Sequence, residues 1–190
     1  DAEEQVAAFD AVTGAERWRS RVGPFYEDGM GYDGPSATPT VAGDRIIAMG
    51  GYGGVVAVNR ATGERLWAVD TVKTLGGVMP QWGFSGSPLV SGDNVYVATG
   101  GQGEDGLVAR KLSDGTAAWK SGSFGAGYSS PVRGTVAGKD QLVFFTGLGA
   151  VGADPETGKV HFTYPWKTNY EVNAATPLLV GSRRIFVASA

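Results

Sequence analysis

The chain has no cysteine and one histidine, His161, in 190 residues. Without cysteine there is no disulfide framework and no thiolate for metal or nucleophilic chemistry. One histidine cannot supply a His-based zinc cluster, and it leaves a Ser-His-Asp arrangement without supporting evidence. Charged residues make up 18% of the chain and the formal net charge is −3, with acids and bases interspersed. No basic block is present, so there is no electrostatic footprint for nucleic acid. No apolar run reaches the roughly 18 residues that a membrane-crossing helix needs, and the chain carries no signal-peptide pattern. A 3.6-residue apolar stripe long enough for a helix is also missing, which leaves an all-β chain.

Glycine is abundant, with 31 residues. That suits many tight turns between short strands. One motif is written four times. In residues 56–67 an apolar run, Val56-Ala57-Val58, is followed by Asn59-Arg60-Ala61-Thr62-Gly63 and then by Trp67, four residues after the glycine. The other copies contain Asp10, Thr13, Gly14 and Trp18; Lys111, Asp114, Gly115 and Trp119; and Asp154, Thr157, Gly158 and Phe162. The turn glycines stand 49, 52 and 43 residues apart. Periods of that length indicate a solenoid, propeller or array.

Between these copies a second pattern recurs. A Ser-Pro or Thr-Pro entry (Thr38-Pro39, Ser87-Pro88, Ser130-Pro131, Thr176-Pro177) leads through a Gly-containing turn into a β-branched run. Each full unit therefore holds four strands: A (after the proline), B, C (before the Thr-Gly turn) and D (with Trp). Four strands in 43–52 residues is the size of a β-propeller blade. The blade material falls at residues 1–22 (C and D), 36–70, 85–121, 129–166 and 175–190 (A and B). Residues 1–190 form one domain. Either the ends pair to close a four-bladed ring, or the chain is the middle of a seven- or eight-bladed propeller. The second arrangement is expected, because four blades is the small limit.

The residue types suggest local roles. Asp10, Asn59 and Asp154 can accept backbone N–H bonds within the turn, and glycine can take positive φ. The tryptophans are large, with one N–H that needs an acceptor, and should pack between sheets. Lys111, Asp114 and Phe162 depart from the pattern, so looser junctions are expected there. The D-to-A loops, by contrast, vary between copies. They bring Tyr32, Asp33 and Ser36; Gln81, Trp82, Phe84 and Ser85; Gly127 and Tyr128; and Tyr170, Glu171 and Asn173 toward the axis. Varied aromatic and polar loop residues on a repeated scaffold mark a candidate binding face.

The segments 8–18 and 57–67 resemble the tryptophan-docking repeat of quinoprotein-like propellers. That superfamily includes dehydrogenases dependent on pyrroloquinoline quinone (PQQ) and the propeller lipoprotein of the outer-membrane β-barrel assembly machinery. Residues 34–41, 80–84 and 126–132 are most similar to its exported bacterial PQQ-like repeat proteins. The resemblance implies a propeller in the periplasm or cell envelope. It leads to a non-catalytic scaffold that presents its loop-lined face to a protein or small-molecule partner, with no cofactor and no metal. The alternative it implies is part of a PQQ- and Ca-dependent dehydrogenase of alcohols or sugars. That would require oxygen ligands for the cation, for which Asp33, Glu171 and Asn173 are the available side chains. The adjacent-cysteine disulfide of those enzymes has no counterpart here.

Overall fold

A computed structural model describes residues 2–29 and 33–189. Met30, Gly31 and the expected face residue Tyr32, all in the first D-to-A loop, lie outside the described residues. Strands β1 (Glu3–Phe9) and β2 (Glu16–Pro24) make a two-stranded sheet. Three four-stranded antiparallel sheets follow. The first contains β3 (Thr40–Ala42), β4 (Arg45–Met49), β5 (Gly54–Asn59) and β6 (Arg65–Asp70). The second contains β7 (Leu89–Ser91), β8 (Asn94–Ala98), β9 (Leu107–Lys111) and β10 (Ala117–Ser121). The third contains β11 (Val132–Val136), β12 (Lys139–Thr146), β13 (Gly149–Ala153) and β14 (Val160–Pro165). A last two-stranded sheet joins β15 (Leu178–Val180) to β16 (Arg184–Phe186). In every complete sheet the strands are hydrogen-bonded in chain order, which is the up-and-down order of a propeller blade. The two terminal sheets are separate half-blades and do not pair with each other.

Each A strand starts at the residue after its proline. Proline offers no N–H to a ladder, so it is tolerated where pairing begins and not inside it. Each C strand meets its D strand with a register shift next to the turn. Such a bulge increases local twist and turns the D strand away from its partner.

The core lies between sheets. One cluster holds Val6, Trp18, Val22, Val56 and Val58 between the first half-blade and the first blade. A second joins Ile47, Ala57 and Trp67 to Val95, Val97 and Val108. A third joins Tyr96, Ala109 and Trp119 to Leu142, Phe144 and Val151. Each cluster contains one tryptophan of the repeated motif, so these three junctions are built from the same part.

One helix was not legible as a periodic stripe. Helix α1 (Thr71–Leu75) opens the second D-to-A loop, and five residues are too few to show a period. Side chain and backbone cap it at both ends. Asp70 accepts from the amides of Val72 and Lys73, and Gly76 closes it with φ of 67°.

Candidate functional site

Strand order gives the molecule two faces. The A–B and C–D turns lie on one, and the D–A loops and B–C turns on the other. On the turn face, Asp10 Oδ1 accepts from the amides of Val12 and Thr13, Asn59 Oδ1 from Ala61 and Thr62, and Asp154 Oδ1 from Glu156 and Thr157. The indole N–H of each tryptophan then donates to a carbonyl in the next blade's turn. Trp18 reaches Arg60 O at 3.0 Å, Trp67 reaches Leu112 O at 3.0 Å, and Trp119 reaches Pro155 O at 2.9 Å. The rings cover the turn glycines: a Cβ built on Gly63, Gly115 or Gly158 would come within 2.5–2.8 Å of the indole. These glycines therefore supply both a positive φ of 71–73° and room for a ring.

The looser junction expected from Lys111 and Asp114 is not found. Gly115 N donates to Lys111 O at 2.9 Å, as Gly63 N does to Asn59 O at 2.8 Å. The Trp67 bond to that turn is as short as the others. Two arginines hold this copy instead. Arg45 donates to the carbonyls of Leu112 and Ser113, and Arg110 Nε donates to Gly115 O at 2.7 Å. Phe162, in the fourth copy, packs against Gly152 of its own sheet. The described residues that follow it form only an A–B pair, so no further C–D turn is there for it to cover.

On the loop face the A strands enter side by side. Their small residues also bond between blades. Thr38 N donates to Ser87 Oγ and Ser87 N to Ser130 Oγ, both at 2.9 Å, and Ser129 Oγ donates to Ala175 O at 3.0 Å. The hydroxyls form a belt around the axis, a role beyond the small size that the crowding there requires.

Above this belt the D–A loops assemble an aromatic cluster. Trp82 lies 6.0 Å from Tyr128 and 5.7 Å from Tyr170 between ring centroids, the second contact being edge-on. The Trp82 amide donates to the Tyr128 hydroxyl at 3.3 Å. Burial pushes the Tyr128 phenol above its ordinary pKa, so it stays neutral and available as a hydrogen-bonding group. Trp82 and Tyr128 line an open depression of about 760 Å³ with Asp28, Ser36, Ser85, Val172 and Ala174. An apolar, aromatic concavity with a few hydroxyls is the usual make-up of a ligand or partner site.

The remaining face residues divide. Gln81 and Asp33 are exposed, and Asp33 Oδ1 accepts from the Asp28 amide at 3.1 Å. Phe84 is buried in the cluster between the first two complete blades, so it does not belong to the surface. Asn173 is also removed from it. Fully buried, its Nδ2 donates to Thr146 O at 2.8 Å and to Trp166 O at 3.0 Å, and its own carbonyl accepts from Tyr128 N. It ties the last loop to the third complete blade. Glu171 and Tyr170 both have positive φ, 58° and 57°, and the Glu171 side chain lies against Gly125 and Gly147. Two consecutive non-glycine residues in this region store backbone strain, which aims the Tyr170 ring at Trp82. Asp28, Val172 and Ala174 were missed: one carboxylate beside another, Glu27, and two apolar residues carry no sequence signal.

These side chains do not fit a quinone-bound divalent cation. The buried Asn173 has its Nδ2 held by two backbone carbonyls and its Oδ1 accepting from the Thr168 hydroxyl at 3.3 Å, and Glu171 rests against Gly125 and Gly147. Among the described residues no three His, Cys, Asp or Glu side chains stand close enough to share an ion.

With this geometry in place, comparison with known proteins is informative. The model of the family described as "Outer membrane protein assembly factor BamB" matches residues 2–190. The chain belongs to that family. No curated protein sequence matches it significantly. Among solved structures, BamB from Moraxella catarrhalis superposes with a TM-score of 0.63 at 14% identity, over 94% of this chain and 51% of that one. A europium-containing methanol dehydrogenase gives a TM-score of 0.64 at 21% identity, over 86% and 38%. The quinohemoprotein alcohol dehydrogenase of Comamonas testosteroni gives 0.59 at 18% identity, over 87% and 33%. The chain thus spans about half the length of BamB and less of the dehydrogenases. At these identities the likeness establishes the fold alone, an all-β propeller architecture. Among the described residues no helix is long and apolar enough to cross a membrane.

Proposed function

We propose that this chain is a non-catalytic scaffold of the bacterial cell envelope that binds a protein or small-molecule partner on its loop face. The observation that carries this is the Trp82–Tyr128–Tyr170 cluster over an open depression of about 760 Å³. Aromatic side chains offer large contact area at low entropy cost and dominate binding energetics where they are partly desolvated. The hydroxyls of Ser36, Ser85 and Tyr128 give a partner polar anchors. Membership of a family named for an outer-membrane protein assembly factor supports an exported location and a protein partner.

Binding of apolar-aromatic peptides and of planar aromatic fragments, followed by NMR at the Trp82 indole N–H, tests this reading. Such probes should shift the Trp82 and Tyr128 signals, and Trp82→Ala with Tyr128→Ala should abolish binding while the sheet spectrum is retained. Equal binding by the double variant would place the site elsewhere. A rise in melting temperature with PQQ and Ca²⁺ would instead revive the dehydrogenase alternative.

A further inference from the structure

The molecule carries a second concavity, separate from the axial depression: the two share no lining residue. It is an open cleft of about 880 Å³ between β2 and the first complete blade. One wall is the end of β2, from Arg21 to Pro24. The other is β6 with Val72 and Lys73 of α1, and the buried Val55 and Val56 of β5 form the floor.

A difference between blades opens this cleft. Ala68 is paired with Val56 as Lys120 is paired with Val108, so both hold the place after the docking tryptophan. Lys120 reaches Asp105 at 2.5 Å, and Asp105 lies against Gly76 in the loop of the preceding blade. That junction is bridged. Alanine has no side chain to make the same crossing, so the space beside Ala68 stays open to solvent.

The lining joins apolar surface to positive charge. Tyr52, Val72 and Met79, all from loop-face segments, are 38–40% exposed, and grouped apolar exposure of this kind marks an interaction site. Arg65 stands at the opposite end of β6, about 17 Å from Asp70 at the rise of a strand. Three cations, Arg21, Arg65 and Lys73, line the cleft with one carboxylate, Asp70, which is turned to the amides of Val72 and Lys73. The cleft is thus cationic in a chain whose net charge is −3. Arg21 is paired with Glu3 at 2.5 Å and Lys73 with Asp70 at 3.5 Å, but Arg65 has no ion-pair partner among the described residues.

We propose that this cleft binds a short extended segment of a partner protein in which large apolar residues alternate with acidic ones. Alternate side chains of an extended chain point to opposite sides, so one set enters over Val56 and Ala68 while the other meets the guanidinium groups. A peptide is favoured over a compact ligand because the apolar end and Arg65 lie a strand's length apart; β6 spans six residues, and about six peptide residues match it. The site is independent of the loop-face reading.

Fluorescence anisotropy with a labelled peptide of three leucine–glutamate repeats tests the proposal. The peptide should bind saturably in the micromolar range, and its counterpart with lysine in place of glutamate at least about tenfold more weakly. Ala68→Lys, which gives this blade the side chain that its neighbour carries, should weaken binding about tenfold or more. Arg65→Glu should do the same to the glutamate peptide and strengthen binding of the lysine peptide. Both positions are exposed, so the strand spectrum should not change. Trp82→Ala with Tyr128→Ala should leave this binding intact, and its loss there would move the peptide to the loop face and overturn the proposal. No saturation up to about 1 mM peptide, equal affinity for the two peptides, or indifference to both cleft variants would also overturn it. Binding of phosphatidylglycerol vesicles in place of the peptide would do so too.

Discussion

The turn face and the loop face of the same blades follow opposite rules. On the turn face the copies share one plan: a turn glycine with positive φ in all four and, in the first three, an indole N–H bonded to the next blade at 2.9–3.0 Å. On the loop face no two copies agree. One holds a short helix, another a pair of strained residues, and rings from three of them meet at Trp82. The same residue type thus serves two ends. Trp67 is buried and bonded to its neighbour, so it holds the ring together. Trp82 is half-buried with one side on an open depression, so it remains available to a partner.

That contrast can be broken most severely at a junction. Trp67→Ala should destabilise the fold by about 3–5 kcal/mol, the range for removing a buried aromatic, as read by urea denaturation. Next comes a comparison among glycines. Gly158→Ala places a methyl about 2.5 Å from Trp119 at a positive φ, and should cost about 2–4 kcal/mol. Gly14→Ala has the same φ but nothing within 4 Å, and should cost only about 1 kcal/mol. Equal effects would mean that φ alone, and not the docked indole, requires glycine. On the loop face, Trp82→Ala should cost about 1 kcal/mol or less while removing probe binding.

The smallest effect is pH-dependent and concerns Glu4, which ties the first half-blade to the B–C turn of the next blade. Its carboxylate is buried and accepts from the Gly51 amide at 3.0 Å. Burial raises its pKa above 4.5, against the lowering effect of the Gly51 and Tyr26 amides. An acid whose folded pKa is raised contributes stability that is fully present below its unfolded value. That contribution is lost as pH rises through the folded value. Glu4→Gln should therefore flatten the decline in melting temperature above about pH 4.5 that this group causes. An unchanged profile would show that the carboxylate is solvated in the folded state.

Much of the scaffold was legible because its parts act locally. Asp10 and Asn59 bond to amides two and three residues away, and the proline before each A strand marks its own boundary. The candidate site was legible only in outline. Trp82, Tyr128 and Tyr170 stood out as varied loop aromatics, but Phe84 and Asn173, drawn from the same loops, turn inward. Nothing in their type distinguishes an amide that faces solvent from one whose partners, Thr146 O and Trp166 O, come from other segments. The third turn shows the same limit. Lys111 and Asp114 looked like defects, and Arg45, 67 residues from the Leu112 carbonyl it binds, compensates from the preceding blade.

The sequence by itself determined the period, the strand order within a blade and the turn chemistry, since each depends on residues a few positions apart. Tertiary structure alone decided which loop side chains share the axial depression and which are consumed as struts. The physical reason is range: a turn is satisfied by its own backbone, whereas a surface, a core or a strand edge is defined by whatever other segment comes to lie beside it.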